Sequence, residues 1–334
     1  MLKKYQQNSL DALTIYLQRS AIYNDVKKAY AISTKENFGA EGLYNDAGFT
    51  NIPYVCLRLP TGGGKTFLAA HSIPIICKEY LSRDFSLVIW LVPSNAILEQ
   101  TYNCLTDNNH PYRSVLNETF YGNIEVLRID EARNISKGTL QSNTVIIIST
   151  FASWRVGDKE GRKVYEQNGS LSTHFEFLKS AQTLHLDKIN GSDIPVHSLA
   201  NVVYLNNPIF IIDEAHNART ELTFEVLKRL NPSCLIEFTA TPKTKGPDRS
   251  NVLYSVSAAE LKAENMIKMP IELLTTADWQ TAISDAVKKQ QELENISKQE
   301  ESKTGEYIRP IVLIQAQHDS KIESTINVDE VKHF

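Results

Sequence analysis

Six short runs of apolar and β-branched residues punctuate the chain and predict buried strands. The runs are nearly continuous rather than alternating, which is typical of strands covered on both faces in a parallel sheet. They extend over Tyr54 to Leu59, Leu87 to Val92, Ile124 to Ile129, Thr144 to Ser149, Ile209 to Ile212 and Leu235 to Phe238.

Apolar residues at helical spacing lie between several of these runs. The clearest segments are Phe67 to Leu81, Asn95 to Leu105 and Leu222 to Leu230. Pro74 is expected to kink the first of them. Because strands and helices alternate, the pattern predicts an α/β fold with a doubly wound parallel sheet and helices on both faces.

Two polar stretches interrupt this alternation. Residues 154–207 read as an insertion with a helical patch around His174 to Leu186. Its start places Trp154 among the basic residues Arg155, Arg162 and Lys163, which is interpreted as a solvated loop or as a clamp for single-stranded nucleic acid. Residues 278–304 predict a solvated helix, followed by one more strand at Ile311 to Ile314. We therefore expect one large domain over 1–270 and, over 271–334, a charged helical linker and the beginning of a second, truncated domain.

Composition excludes several classes of protein. Hydrophobic residues make up 42% of the 334 residues and charged residues 22%, which is typical of an ordinary globular protein. The formal net charge of −4 does not indicate a protein that simply coats DNA. The first residues are polar and no stretch reaches the roughly 20 apolar residues of a membrane span, so we expect a cytoplasmic protein without membrane contact. The four cysteines lack zinc-ligand spacing and are expected to be reduced core thiols.

A glycine-rich segment, Pro60 to Thr66, stands between a predicted strand and a predicted helix. In that position it is typical of a phosphate-binding loop, although Leu59 replaces the usual first glycine. Backbone N–H groups of such a loop approach phosphate oxygens, the lysine bridges the β- and γ-phosphates, and the hydroxyl after it binds Mg²⁺. The predicted nucleotide-binding residues are Thr61, Gly62, Gly63, Gly64, Lys65 and Thr66.

Two adjacent carboxylates, Asp213 and Glu214, end another predicted strand. Open α/β sheets bind ligands at the carboxyl ends of their strands. Asp213 is suited to hold Mg²⁺ and Glu214 to activate the attacking water in phosphoryl transfer. Lys65, Asp213, Glu214 and the nearby His216 are the predicted catalytic residues, and Thr66 and Asp213 the predicted magnesium ligands.

Together with Thr239-Ala-Thr241, these two segments resemble motifs I, II and III of superfamily 2 helicases and translocases of the DEAH-box type. Tyr5-Gln6, Val92 to Ala96 with Gln100, Ser149 to Phe151 and Arg309 to Gln315 resemble further motifs in the same order. Through Asp213 to Asn217 and the strand that ends at Gln317, the chain most resembles the restriction subunit of type III restriction–modification enzymes.

The resemblance implies a RecA-like domain that uses ATP and Mg²⁺, with a second RecA-like domain beginning near Arg309 and supplying arginines to the site. It implies that Tyr5 and Gln6 contact adenine, and that Thr239 and Thr241 couple the nucleotide to the nucleic-acid face. Pro93, Ser94, Asn95 and Thr150, which follow strands, are expected to hold phosphates of DNA without reading its sequence. A modification (methylase) subunit is the implied partner. We do not expect nuclease activity from this chain, because no PD…(D/E)xK pattern is evident.

Two other functions stay open. The chain could be a nucleotide-gated scaffold that binds DNA or a partner with little turnover, since a missing arginine slows comparable phosphoryl transfer by about 10³–10⁵. A small-molecule kinase or a GTPase would use the same loop, but the Asp-Glu-Ala-His and Thr-Ala-Thr segments disfavour both, and the guanine-reading Asn-Lys-x-Asp is absent from the sequence.

Overall fold

The computed structural model divides the chain into two compact units, Met1–Ile267 and Lys268–Phe334. It describes residues 2–155, 163–214, 220–246, 248–266, 274–276, 278–316 and 328–333. Within these ranges, no helix is both long and apolar enough to cross a membrane.

The first unit contains a parallel sheet, which confirms the predicted α/β fold. Seven strands of the described residues form it, in the order β3-β4-β2-β5-β6-β1-β7. They are β1 Tyr54–Arg58, β2 Leu87–Val92, β3 Ile124–Arg128, β4 Thr144–Thr150, β5 Ile209–Asp213, β6 Cys234–Thr239 and β7 Val252–Ser255. All six predicted strands are present. The pattern did not predict β7, which has only four residues and lies half-buried at an edge of the sheet.

Helices cover both faces of this sheet. In the first unit they are α1 Lys4–Tyr23, α2 Val26–Phe38, α3 Lys65–Ile76, α4 Asn95–Thr106, α5 Pro111–Phe120, α6 Ile129–Ala132, α7 Lys137–Ser142, α8 Ser180–Thr183, α9 Leu199–Leu205, α10 Glu221–Arg229 and α11 Ala258–Ala263. The three predicted helices correspond to α3, α4 and α10. Pro74 lies inside α3, which passes into a π-helical turn at Cys77–Leu81.

Alternate residues of the central strands β1, β2, β4, β5 and β6 point into two separate cores. On β2, Val88 and Trp90 belong to the first core, while Ile89 and Leu91 belong to the second core. This alternation fixes the strand register, because a shift by one residue would exchange the two faces. The burial of both faces explains why the strands read as continuous apolar runs.

The segment between β4 and β5 is part of the second core. Trp154, Val164, Leu171 and Val203 are all fully buried there, and Trp154 Nε1 donates a hydrogen bond of 2.8 Å to Ser149 Oγ. Both sequence interpretations of Trp154, as a solvated side chain and as a stacking platform, are therefore wrong. The predicted helical patch is broken into a 3-10 helix, Gly169–Phe175, and the single turn α8.

The second unit contains the predicted solvated helix, α12 Trp279–Thr304, and a short helix α13 Val328–His333. The strand predicted at Ile311 to Ile314 is wrong: residues 306–316 have no regular structure, and Ile311 and Leu313 are exposed. A strand needs a hydrogen-bonded neighbour, and the described residues of this unit contain none.

Candidate nucleotide and nucleic-acid site

The glycine-rich loop joins β1 to α3 at the carboxyl edge of the sheet. Gly64 is the N-cap of α3, and its φ of +78°, like the +81° of Gly62, is a conformation that side-chain-bearing residues rarely adopt. The Gly63 N–H donates to Pro60 O at 3.0 Å, which tightens the turn. The loop therefore presents the N-terminus of a 12-residue helix, where backbone N–H groups and the helix dipole favour an anion.

Lys65 forms an ion pair with Glu214. Its Nζ lies 2.8 Å from Glu214 Oε1, and the exposed fractions of the two side chains are 8% and 26%. Glu214 follows β5 with a positive φ of 53°, and its N–H donates to Phe238 O of β6. Each charge offsets the cost of burying the other, because an isolated buried ion is strongly disfavoured. An anion that approached Lys65 would compete with this carboxylate for the ammonium group.

Asp213 and Thr66 meet beside that ion pair. Thr66 Oγ1 donates to Asp213 Oδ2 at 3.1 Å, and Asp213 is buried. Burial raises the pKa of the Asp213 carboxyl to about 6, and the neighbouring Glu214 charge adds to the rise, while the Thr66 hydrogen bond and Lys65 oppose it. Magnesium prefers hard oxygen ligands, usually one or two carboxylates with waters and phosphates. The hydroxyl of Thr66 and the buried carboxylate of Asp213 are ligands that fit this ion.

Tyr5 and Gln6 reach the same loop from α1. The Tyr5 hydroxyl donates to Gly63 O at 3.0 Å, and Gln6 Nε2 donates to the same oxygen at 3.4 Å. The structure thus brings both residues to the loop backbone.

The four residues predicted to hold phosphates of DNA all line one cavity of about 380 Å³. Ser94 caps α4 there by accepting a hydrogen bond from Ile97 N, and the Thr150 hydroxyl lies 3.1 Å from that of Ser153. The lining residues are Val92, Pro93, Ser94, Asn95, Thr150, Phe151, Ala152, Arg155, Asp213 and Glu214. The predicted DNA-binding positions and the two carboxylates therefore adjoin each other.

Arg155, which the sequence offers only as part of a solvated loop or of a clamp for single-stranded nucleic acid, also lines this cavity. Its guanidinium makes no hydrogen bond or ion pair with any residue that the structure describes. The sequence carries a signal for this position, since Arg155 closely follows the strand β4, which ends at the same edge of the sheet.

Thr239, the last residue of β6, and Thr241 do not line this cavity. Thr239 is buried, its Oγ1 accepts a hydrogen bond from Thr241 N, and its carbonyl accepts one from Leu59 N at the start of the glycine-rich loop. The carbonyl of Phe238, one residue earlier, accepts a hydrogen bond from the backbone N–H of Glu214. This segment joins the loop to the carboxylates through backbone contacts, and neither threonine lines the cavity. His216 lies outside the described residues.

The glycine-rich loop, Lys65, Thr66 and the two carboxylates converge within one sheet edge, as in a phosphate-binding nucleotide site. A family model described as the type III restriction enzyme res subunit matches residues 1–244, well over half of the chain. The chain belongs to this family. A search of curated proteins gave no match.

Two solved structures are similar to this res subunit family member at low sequence identity. One is a nuclease-deletion mutant of the Type ISP restriction–modification enzyme LlaGI in complex with a DNA substrate mimic (16% identity, TM-score 0.38, 91% of this chain and 23% of that one). The other is the Sulfolobus solfataricus SWI2/SNF2 ATPase core in complex with dsDNA (18% identity, TM-score 0.28, 61% and 30%). The chain thus spans less than a third of the length of either structure.

Proposed function

We propose that the chain is the ATP- and Mg²⁺-dependent motor domain of a superfamily 2 DNA translocase of the res subunit family. The observation that carries this proposal is the meeting of Lys65 and Thr66 with Asp213 and Glu214 at one edge of the sheet. Membership of the family supports DNA as the track and a modification subunit as a partner.

Each of these residues has a distinct role in the proposed reaction. Thr66 and Asp213 would hold Mg²⁺, which when bound neutralises charge on the phosphate oxygens. Lys65 exchanges Glu214 for the β- and γ-phosphates. Glu214, released from that ion pair, orients a water and accepts its proton while the water oxygen bonds to the γ-phosphorus and the bond to the β-phosphate oxygen breaks, giving ADP and phosphate.

The proposed binding site of the DNA backbone is the cavity that Asp213 and Glu214 help to line. Ser94, Asn95 and Thr150 offer hydroxyl, amide and helix N-terminal groups, and Arg155 offers a guanidinium. Such contacts bind phosphates without reading bases, so binding is expected to be independent of sequence and sensitive to salt.

A second candidate function is a nucleotide-gated scaffold with little turnover. The ion pair between Lys65 and Glu214 favours it, since it engages the proposed general base. In a scaffold the pair would open to admit nucleotide, but no attacking water would be activated. Nucleotide and DNA affinities would then depend on each other while ATP is consumed slowly or not at all.

ATP hydrolysis measured with and without double- and single-stranded DNA separates the two functions. Lys65→Ala is expected to abolish ATP binding, whereas Lys78→Ala, which changes an 83% exposed lysine of the adjoining π-helical turn, is the matched control and retains it. DNA-stimulated turnover that disappears in Lys65→Ala and in Glu214→Gln supports the motor.

Two results would reject the motor. ATP binding without turnover in the presence of either form of DNA would favour the scaffold. Turnover that persists unchanged in Lys65→Ala would remove the glycine-rich loop from the reaction altogether.

A further inference from the structure

The peptide group that joins Trp154 to Arg155 is hydrogen-bonded at both of its ends. Its carbonyl oxygen, on Trp154, accepts a hydrogen bond of 2.9 Å from the Tyr165 hydroxyl. Its N–H, on Arg155, donates one of 3.1 Å to Ala152 O. Because the group is planar, two bonds on opposite sides fix its orientation. The direction in which the Arg155 side chain leaves the backbone is therefore set.

The side chain of Trp154 fastens the same segment to the second core. It is 1% exposed, and its Nε1 donates to Ser149 Oγ of β4 at 2.8 Å. Within this segment the hydroxyls of Thr150 and Ser153 lie 3.1 Å apart. Residues 150–155 are thus a turn anchored in the core, and the last residue of the turn lines the cavity beside the two carboxylates.

Tyr165 is itself held by an arginine at the end of α10. The guanidinium carbon of Arg229 lies 4.2 Å from the centre of the Tyr165 ring, and Arg229 Nη2 lies 2.7 Å from Asp187 Oδ2. A planar guanidinium is attracted to the face of an aromatic ring and stacks on it. The side chains of Arg229 and Asp187 are 42% and 35% exposed, so their ion pair contributes little stability by itself. The ion pair instead orients the guanidinium over the ring.

Asp187 has a fixed position because a buried asparagine of α9 holds its backbone. Asn201 is 3% exposed; its Nδ2 donates to Asp187 O at 2.8 Å, and its Oδ1 accepts a hydrogen bond of 2.9 Å from Asp187 N. The same Nδ2 donates to Val196 O at 2.8 Å. A continuous set of contacts therefore joins α9 and α10 to the backbone of Arg155.

We propose that Tyr165 and Arg229 are positioning residues for a DNA phosphate. They hold the peptide group between Trp154 and Arg155, so that the Arg155 guanidinium is presented to the cavity. A cation on a fixed backbone loses less conformational freedom when it binds a phosphate, which favours binding. The proposal rests on the proposed function in one respect, that a DNA phosphate occupies this cavity. The segment between β4 and β5 then supports the DNA contact.

Two conservative variants weaken this support. Tyr165→Phe keeps the ring beside Arg229 and removes only the hydroxyl that holds the Trp154 carbonyl. Arg229→Lys keeps the charge but loses the planar contact with the ring. Tyr121→Phe is the matched control, because Tyr121 directly follows α5 and is 90% exposed.

Fluorescence anisotropy with a short DNA duplex and with a single strand gives the dissociation constants of these proteins. We expect about threefold to tenfold weaker DNA binding in Tyr165→Phe, the usual effect of one lost hydrogen bond, and a loss in the same direction in Arg229→Lys. DNA affinity should not change in Tyr121→Phe. Unchanged DNA affinity in Tyr165→Phe would overturn the proposal.

The same substitution in an Arg155→Ala background shows whether Tyr165 acts through Arg155. There, Tyr165→Phe should change DNA affinity by less than about twofold, because the contact that Tyr165 positions is already absent. An equal loss of DNA affinity in both backgrounds would overturn the proposal, since Tyr165 would then support the fold as a whole or another contact.

Amide hydrogen exchange at Arg155 tests the support without any ligand. Exchange of the Arg155 N–H should be faster in Tyr165→Phe than in the unmodified protein and unchanged in Tyr121→Phe; equal exchange in all three proteins would contradict the proposal. If the unmodified protein bound neither form of DNA, the proposed function would fail, whereas the exchange rates would still decide whether Tyr165 fixes this peptide group.

Discussion

Glu214→Gln removes the carboxylate that pairs with Lys65 in the nucleotide-free protein. The two charged atoms are 2.8 Å apart, Lys65 is buried, and Glu214 is about one-quarter exposed. Because Lys65 must leave Glu214 to reach a phosphate, nucleotide binding includes the cost of opening this pair. The substitution lowers that cost and is expected to tighten binding of a non-hydrolysable ATP analogue.

The magnitude follows from the distance and the exposure. At 2.8 Å the Coulomb energy is about 6 kcal/mol with an effective dielectric constant of about 20. Desolvation and the partial exposure of Glu214 offset most of it, which leaves about 1–2 kcal/mol for a charged hydrogen bond of this kind. The analogue should therefore bind about 5- to 30-fold more tightly to Glu214→Gln. Its ATP turnover should fall about 10²- to 10⁴-fold, the usual loss when a general base is removed.

The variant Glu214→Asp distinguishes two reasons for tighter analogue binding: loss of the ion pair with Lys65 and loss of charge repulsion between Glu214 and the phosphates. Aspartate keeps the negative charge but withdraws the carboxylate by about 1.5 Å, one carbon–carbon bond. If opening the pair limits binding, calorimetry should find tighter analogue binding in both variants. Tighter binding in Gln alone would mean that Glu214 only repels the phosphates. Wild-type turnover in Glu214→Gln would refute its role as the base.

The other predictions concern the cavity, the buried carboxyl and the second core. Arg155→Ala should weaken DNA binding and reduce the slope of log K for DNA against log salt by about 1, without changing ATP affinity. The control Arg83→Ala changes an arginine before β2, at the opposite edge of the sheet, and should change neither DNA affinity nor the salt slope. Equal effects of the two substitutions on DNA binding would exclude a specific phosphate contact by Arg155. Because the pKa of Asp213 is raised to about 6, the folded state binds more protons than the unfolded state between about pH 4 and pH 6, so this residue's contribution to stability decreases as pH rises through that range. Asp213→Asn should therefore raise the free energy of unfolding at pH 7.5, by on the order of 2–3 kcal/mol, and much less at pH 4; an equal gain at both pH values in urea unfolding would contradict the assignment. Trp154→Ala should cost about 3–5 kcal/mol in urea unfolding, whereas a surface position would change it by less than about 0.5 kcal/mol.

The sequence revealed features that depend on local pattern. Most of the strands could be predicted because they are buried on both faces and so form continuous apolar runs. The pattern missed the short edge strand β7 because its burial is partial. The isolated apolar run at Ile311 to Ile314 gave the same signal, yet it forms no strand, because pairing depends on neighbours that a local pattern does not contain.

The same limit applies to the site. Lys65, Thr66, Asp213 and Glu214 were recognisable because each stands where a strand meets a turn. The ion pair between Lys65 and Glu214 could not be predicted, because these two residues are far apart in the sequence. Trp154 is the opposite case: its polar and basic neighbours suggested the surface, whereas the side chain fills the second core.

Glu214 connects the two proposed ligands, because it holds Lys65 and also lines the cavity beside Ser94, Thr150 and Arg155. Nucleotide binding through Lys65 changes the partner of Glu214, and a DNA phosphate in the cavity changes the charge that Glu214 faces. An effect of one ligand on the affinity of the other must be returned in equal measure, since binding linkage is reciprocal. If DNA tightens binding of the ATP analogue by some factor, the analogue must tighten DNA binding by the same factor. Glu214→Gln should reduce that factor toward one in both directions, and a factor that persists unchanged in the variant would place the coupling in other residues.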